Sequence, residues 1–252
     1  LKAVGAFPAV CTSPRLCRRL LAAMFAHFPP APAGLIYLEE INRSEYCATW
    51  TPWVTRSFPC TPGESSFIFR EYPAILHFRF YPSVLSRHSD DSSCLGQKYY
   101  GRGAKQLSWN YNYGAFSLAL FGDASVLLDR PDLVASTWLN LASALWFLVT
   151  PQPPKPSMLH VIDGTWVPNS ADRRNGINPG FGATINIING GIECNKLGGE
   201  TNQARNRAEY YKQFAWYLYV DTDAEDLTCS DQGKFTADGS GALPIYWDKD
   251  WS

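Results

Sequence analysis

Net charge is nearly absent from this 252-residue chain, with 22 Lys and Arg against 23 Asp and Glu and a formal charge of -1. That balance leaves no basic face for nucleic acid or an anionic membrane, and neither is expected as a partner. Long apolar runs are missing as well. The most apolar stretch, Thr137 to Val149, is broken by Asn140 and Ser143, short of the roughly 18 residues that a membrane-spanning helix requires, so none is expected. The cysteines, 7 in number (Cys11, Cys17, Cys47, Cys60, Cys94, Cys194 and Cys229), are too few for a disulfide-dense mini-domain and show no Cys-x-x-Cys or Cys/His zinc spacing. His27, His77, His88 and His160 have no ligand-like spacing, so no metal and no cofactor is expected. A serine elbow of the form Gly-x-Ser-x-Gly is absent, and Gly101-Arg102-Gly103 lacks the spacing and the Lys-Ser/Thr ending of a phosphate loop. The chain opens at Leu1 without Met or a charged-then-apolar leader, as expected of a processed secreted protein or a fragment.

What is abundant is polar-edged aromatic surface: 9 Trp, 13 Tyr and 14 Phe against 2 Met. Such rings suit carbohydrate faces and ordinary cores alike. Helical signals dominate. Ser13-Pro14 offers an N-cap and a first-turn proline, and Leu16, Leu20, Leu21, Met24, Phe25 and Phe28 follow at helical spacing, predicting a helix from about 14 to 28 that stops at Pro29-Pro30. Pro131 starts a second pattern, with Leu133, Val134, Trp138, Leu141, Leu145, Trp146 and Val149 forming a central core helix apolar on most sides. Further helices are expected over Ser157 to Asp163, Ala183 to Asn189 with a stop at Gly190-Gly191, and Thr201 to about Leu218. Strand signals are scarce, no internal repeat is visible, and no element is assigned over residues 64–96.

The densest polar constellation is YYGRGAKQLSWNYNYG, residues 99–114. Its amides, hydroxyls and ring faces match a neutral polyhydroxylated ligand, and they equally match a loop capped by its own Asn side chains. Glu39-Glu40 is either a source of a general base or a solvated pair of surface carboxylates.

Four segments in order, 99–114, PDLVASTWLNLASALWFLVTPQPPKPS at 131–157, VPNSADRRNGINPGFGATINIINGGIEC at 167–194 and NRAEYYKQF at 206–214, resemble the chitinases of glycoside hydrolase family 19. In that family Tyr-x-Gly-Arg-Gly, Gln-Leu-Ser, Asn-Tyr-x-Tyr, Pro-Lys-Pro-Ser, Pro-Gly-Phe-Gly and Asn-Ile-Ile-Asn-Gly-Gly recur in one arrangement. The likeness covers most of residues 13–60 and 97–232. It implies a mainly α, lysozyme-like helical domain with long loops and a deep cleft, and inverting hydrolysis of β-1,4-linked N-acetylglucosamine polymers. Such a reaction places two carboxyl groups about 6.5 to 9.5 Å apart, one protonating the leaving oxygen and one activating water.

Carried over residue by residue, the resemblance places Glu40 on the base. The positions that should read His-Glu-Thr-Gly-Gly read Pro30-Ala31-Pro32-Ala33-Gly34, so Ala31 stands where the general acid belongs. Loss of a positioned acid costs about 10²- to 10⁴-fold. Gln106, Ser108, Tyr111 and Asn112 are implied to line the cleft beside the base, Lys155 and Asn189 to contact substrate or position water, and Arg207 to join the charge network. The implied disulfides are Cys47–Cys60 and Cys194–Cys229, with Cys11–Cys17 closing a small N-terminal loop and Cys94 left over. The sequon Asn42-Arg43-Ser44 is so close to Glu40 that a glycan would crowd a sugar cleft.

Residues 64–96 interrupt the family's join between Pro59-Cys60 and Tyr99, and read either as a cleft-enlarging surface loop or as translated intron; the 29–33 run invites the same alternatives. Without the interruption the chain is an ordinary size for one domain, so residues 1–252 are expected to be a single catalytic domain carrying an atypical insert. Two functions follow: a secreted, monomeric endochitinase acting on chitin or chitin oligosaccharides with severely reduced activity, or a non-catalytic chitin-binding relative that keeps the cleft.

Overall fold

The computed structural model describes residues 13–28, 38–41, 46, 99–196 and 199–240. Ala31, the 29–33 run, the sequon, the 64–96 insert and the Cys47–Cys60 pair lie outside them. Among the described residues the chain is mainly helical, with paired backbone limited to isolated antiparallel bridges. No helix among them is long and apolar enough to cross a membrane.

Helix α1 (Pro14–Ala26) begins where the sequence dictates: Ser13 Oγ accepts the Leu16 N–H at 3.2 Å and Pro14 occupies the first turn, where its missing N–H costs nothing. It ends at Ala26, just short of the expected 28, with His27 and Phe28 closing a turn back onto Met24 and Phe25. Cys17 is committed to the first turn, its N–H bonded to Ser13 O, and carries a free thiol; Cys11, its expected partner, lies outside the described residues.

Helix α2 (Asn110–Phe121) occupies ground for which the polar pattern offered a loop. Trp109 enters it at φ 75° and Gly122 leaves it at φ 73°, the left-handed stop that glycine adopts without strain. Short α3 (Ser125–Asp129) follows. The expected single helix from Pro131 is instead two, α4 (Leu133–Ser136) and α5 (Leu139–Val149). Thr137 breaks it: extended at φ -130° and ψ -176°, its hydroxyl donates to Leu133 O and accepts the Leu139 N–H at 3.2 Å. The break turns Trp138 and Leu141 outward, 56% and 54% exposed, while Trp146, Phe147, Leu148 and Val149 remain in the core.

Helices α6 (Met158–Asp163) and α7 (Ser170–Arg174) are capped by Ser157 and by an Asn169/Asp172 capping box. Helix α8 (Phe181–Glu193) passes the expected stop at Gly190 and kinks at Asn189. The glycine is there for close approach, since a Cβ on Gly190 would collide with the Asn186 side chain. Helix α9 (Asn202–Tyr217) starts on Thr201, whose Oγ1 accepts the Ala204 N–H.

The core gathers around α8 and α9. Phe181 stacks on Tyr211 with centroids 4.2 Å apart, His27 stacks on Phe181 at 4.9 Å, and α1 lies along α9 with Phe25 against Phe214. Full burial of side chains such as Leu20, Leu107, Phe181 and Ile185 contributes about 1.5–3 kcal/mol each before entropy is subtracted. Cys194 and Cys229 form a disulfide that ties the end of α8 to the loop after α9.

Candidate active site

Glu40 is held by backbone. Residues 38–40 lie antiparallel to the turn at 101–107: Glu40 N–H donates to Gly101 O and Gly103 N–H to Leu38 O, both at 2.8 Å, while Arg102 and Leu107 exchange both of their own bonds. Successive side chains of an extended segment point to opposite faces, and this separates the two carboxylates. Glu39 turns toward Arg102 (Oε1 to Nε 3.7 Å) and the Tyr100 hydroxyl (3.5 Å). Arg102 is itself fixed, its guanidinium 3.7 Å above the Tyr100 ring and Nη1 donating to Tyr113 Oη. Glu39 is thus structural, and Glu40 alone faces the other way.

Among the described residues, two donors aim at the Glu40 carboxylate: Gly101 N–H to Oε2 at 3.0 Å and the Tyr46 hydroxyl to Oε1 at 3.1 Å. Burial, and then the Glu40 charge, push the Tyr46 phenol upward, which keeps it protonated and donating. Gly101 leaves room for the arrangement, because a Cβ there would sit 2.8 Å from Gln106 Oε1 and 3.2 Å from Glu40 Oε2. Non-glycine residues in the left-handed region cluster here, with Tyr46 at φ 47°, Gln106 at 56° and Trp109 at 75°; such strain persists only where surrounding contacts impose it.

From Glu40 a polar run leads away. Gln106 Nε2 donates to Gly103 O, Ser108 Oγ to Gln106 O, Asn112 Nδ2 to Ser108 O, and Gln152 Nε2 reaches Asn112 Oδ1 at 3.3 Å. Trp109 stacks on Tyr111 at 6.0 Å and meets Tyr46 edge-on at 5.3 Å. The run opens into a cavity of about 350 Å³ walled by Tyr111, Asn112, Gln152, Lys155, Asn186 and Phe235, among others. Lys155 Nζ donates to Ile187 O at 2.9 Å, and burial pulls its ammonium down to about 8.

Asn189 and Arg207 belong to a second cluster. Arg207 grips Glu193 through two bonds of 2.9 and 3.0 Å and donates to His27 O, while Asn189 Nδ2 donates to Glu193 Oε1 at 2.8 Å. A bidentate pair buried this way is neutral overall, and the Asn189 amide adds a further donor to Oε1. Lys105 connects the clusters. Its ammonium lies 3.8 Å from the Phe147 ring centroid, and burial, followed by the Arg207 charge, lowers it to about 7 although Glu193 opposes the change.

The structure therefore brings Glu40, Gln106, Ser108, Tyr111, Asn112 and Lys155 along one path, with Asn189 and Arg207 converging on Glu193. Tyr46, Gln152, Lys105 and Glu193 escaped the sequence reading. Gln152 carried a usable signal in Pro151-Gln-Pro-Pro-Lys155, a lone amide in a rigid turn that pairs Gln152 with Lys155. Tyr46 and Glu193 reach their partners only through the fold.

The family model described as chitinase class I matches residues 81–229, more than half of the chain; Ala31 and Glu40 precede the match. Endochitinase 1 of Gossypium hirsutum is 46% identical over 208 residues, covering 82% of this chain and 51% of that protein. Endochitinase 1 of Solanum tuberosum is 32% identical over 260 residues, covering 96% and 67%. The chain spans about half the length of most curated relatives that it matches. Among solved structures, chitinase C from Streptomyces griseus aligns with a TM-score of 0.58 and 29% identity over 90% of this chain and 86% of that one. That alignment gives the helical body the lysozyme-like architecture implied by the motifs. With the ordered motifs of residues 99–214 folded around one polar cleft, the chain belongs to the class I chitinases of glycoside hydrolase family 19.

Proposed function

We propose that the chain binds chitin oligosaccharides in the cleft running from Glu40 to the Lys155 cavity, with Glu40 as the general base of an inverting hydrolysis that Ala31 leaves crippled. The observation that carries this reading is the Glu40 carboxylate, fixed by Gly101 N–H and Tyr46 Oη beside Gln106 at the head of the polar run. A water on Glu40 loses its proton to the carboxylate as it attacks the anomeric carbon; the leaving oxygen then needs a proton that alanine cannot supply. Gln106, Ser108, Tyr111, Asn112, Lys155 and Asn189 hold the sugar chain, and Arg207 acts through Glu193. The relatives named endochitinase support the substrate class. The Cys194–Cys229 bridge supports an oxidising, extracellular setting, and the chain is read as a single-domain monomer.

Release of reducing ends from a chitin hexamer tests the assignment. Ala31→Glu is expected to raise turnover by about 10²-fold or more over the chain as it stands. Equal, robust turnover by both would show that the acid is not missing. The second reading, a binding protein without catalysis, is favoured by Ala31 itself. It requires calorimetric heat with the hexamer, and no heat together with no turnover removes both readings.

A further inference from the structure

A small internal void of about 10 Å³ lies between the end of α1, the turn at 101–107 and helices α5 and α6. Its wall is apolar, with Met24, Phe28, Phe147 and Leu148 among the lining side chains, except at Lys105 and His27. Both of these polar groups are short of a partner. Among the described residues the Lys105 ammonium makes no hydrogen bond or ion pair and rests on the Phe147 ring, 3.8 Å from its centroid. His27 Nδ1 is buried with no hydrogen-bond partner among them. The other ring nitrogen settles what Nδ1 needs. Thr184 Oγ1 donates its single proton to Phe181 O at 2.6 Å, so the 2.8 Å bond between His27 Nε2 and Thr184 Oγ1 is donated by the ring. Burial, and then the Arg207 and Lys105 charges, keep that ring neutral. Nδ1 is therefore a bare acceptor on one wall residue, and Lys105 Nζ an idle donor on another.

We infer that the void holds one structural water, which accepts a hydrogen bond from Lys105 Nζ and donates one to His27 Nδ1. A buried water needs about 10–15 Å³ and at least two polar partners, and this void meets both conditions at their lower bound. Chemistry excludes other occupants of that size. A halide accepts from the ammonium but has no proton for Nδ1, whereas a cation suits Nδ1 but is repelled by Lys105. An amphoteric molecule satisfies both ends. The water ties the turn that holds Glu40 to the end of α1, where His27 O takes the Arg207 bond. This tie is independent of whether the chain cleaves chitin.

A high-resolution crystal structure of the whole chain, grown at mildly acidic pH below the value of about 7 at which Lys105 titrates, reads the site directly. One spherical density peak is expected about 2.7–3.2 Å from both Lys105 Nζ and His27 Nδ1. In solution the same water should give a nuclear Overhauser contact to the His27 C–H between the two ring nitrogens. Lys105→Met keeps the aliphatic stem on Phe147 but removes the donor, and is expected to abolish that contact. An empty void, a direct bond from Nζ to Nδ1, or a peak that a bromide soak replaces with an anomalous scatterer overturns the inference. So does a water contact that persists undiminished in Lys105→Met. If that variant fails to fold, the density in the unaltered chain decides alone.

Discussion

Lys105 is a side chain whose surroundings conflict with its chemistry. Its ammonium titrates near 7 in the folded chain against 10.5 in the open, because burial, and then Arg207, penalise the charge. The unfolded chain therefore binds this proton more tightly, so the ammonium weakens folding in full below pH 7 and the penalty fades as pH rises to 10.5. Lys105→Met keeps an aliphatic stem over Phe147 and is expected to raise stability by about 1–3 kcal/mol at mildly acidic pH. Urea unfolding at several pH values should show the gain shrinking to nothing near pH 10.5, whereas a pH-independent gain would rule out charge burial as its source. Tyr46 is the other residue with a distinct part. In the Ala31→Glu chain, Tyr46→Phe removes one of the two donors that the described residues offer Glu40 and is expected to lower kcat about tenfold. The ring contact with Trp109 stays, so the thermal midpoint should barely move. An unchanged kcat would mean that Gly101 N–H holds the base alone.

Elements with chemical punctuation were readable in advance, and those without it were not. Helices α1, α6 and α9 begin on Ser13, Ser157 and Thr201, side chains whose oxygen satisfies an otherwise orphaned first-turn N–H, and sequence places those starts to within a residue. Helix α2 has no such cap, and its residues show almost no amphipathic contrast, so its Asn and Tyr residues read as loop chemistry. Thr137 misled in the opposite direction, because an apolar period continues across it while its hydroxyl trades the helix for two local bonds. Gly190 reads as a stop because glycine favours ends, yet here it admits the Asn186 side chain and the helix continues. The residues proposed to line the cleft, Gln106 to Lys155, were legible as a family pattern. Their mutual geometry was not: the opposed facing of Glu39 and Glu40, the Tyr46 donor and the Glu193 anchor depend on contacts between distant parts of the chain.

At the scale of the whole molecule, the loop after α9 returns across α8 to wall the cavity. Three features pin that return: the Cys194–Cys229 bridge, Cys229 N–H on Glu200 Oε2 at 3.0 Å, and Gly182 N–H on Asp226 O at 2.9 Å. Cys194→Ser is expected to cost about 2–4 kcal/mol of stability. It should also weaken binding of the chitin hexamer, because Lys234 and Phe235 lose their fixed position; both effects can be read from thermal midpoints and calorimetry of the same sample. Loss of stability with intact affinity would show that the remaining hydrogen bonds suffice to hold the wall. The other side of the cleft is secured differently. Glu40 is aligned on the turn at 101–107 chiefly through peptide groups, which every sequence provides whatever its side chains. Under the proposed reading, a substitution that removes a proton donor at residue 31 leaves Glu40 in place, and a single restored carboxylate would find its partner already aligned.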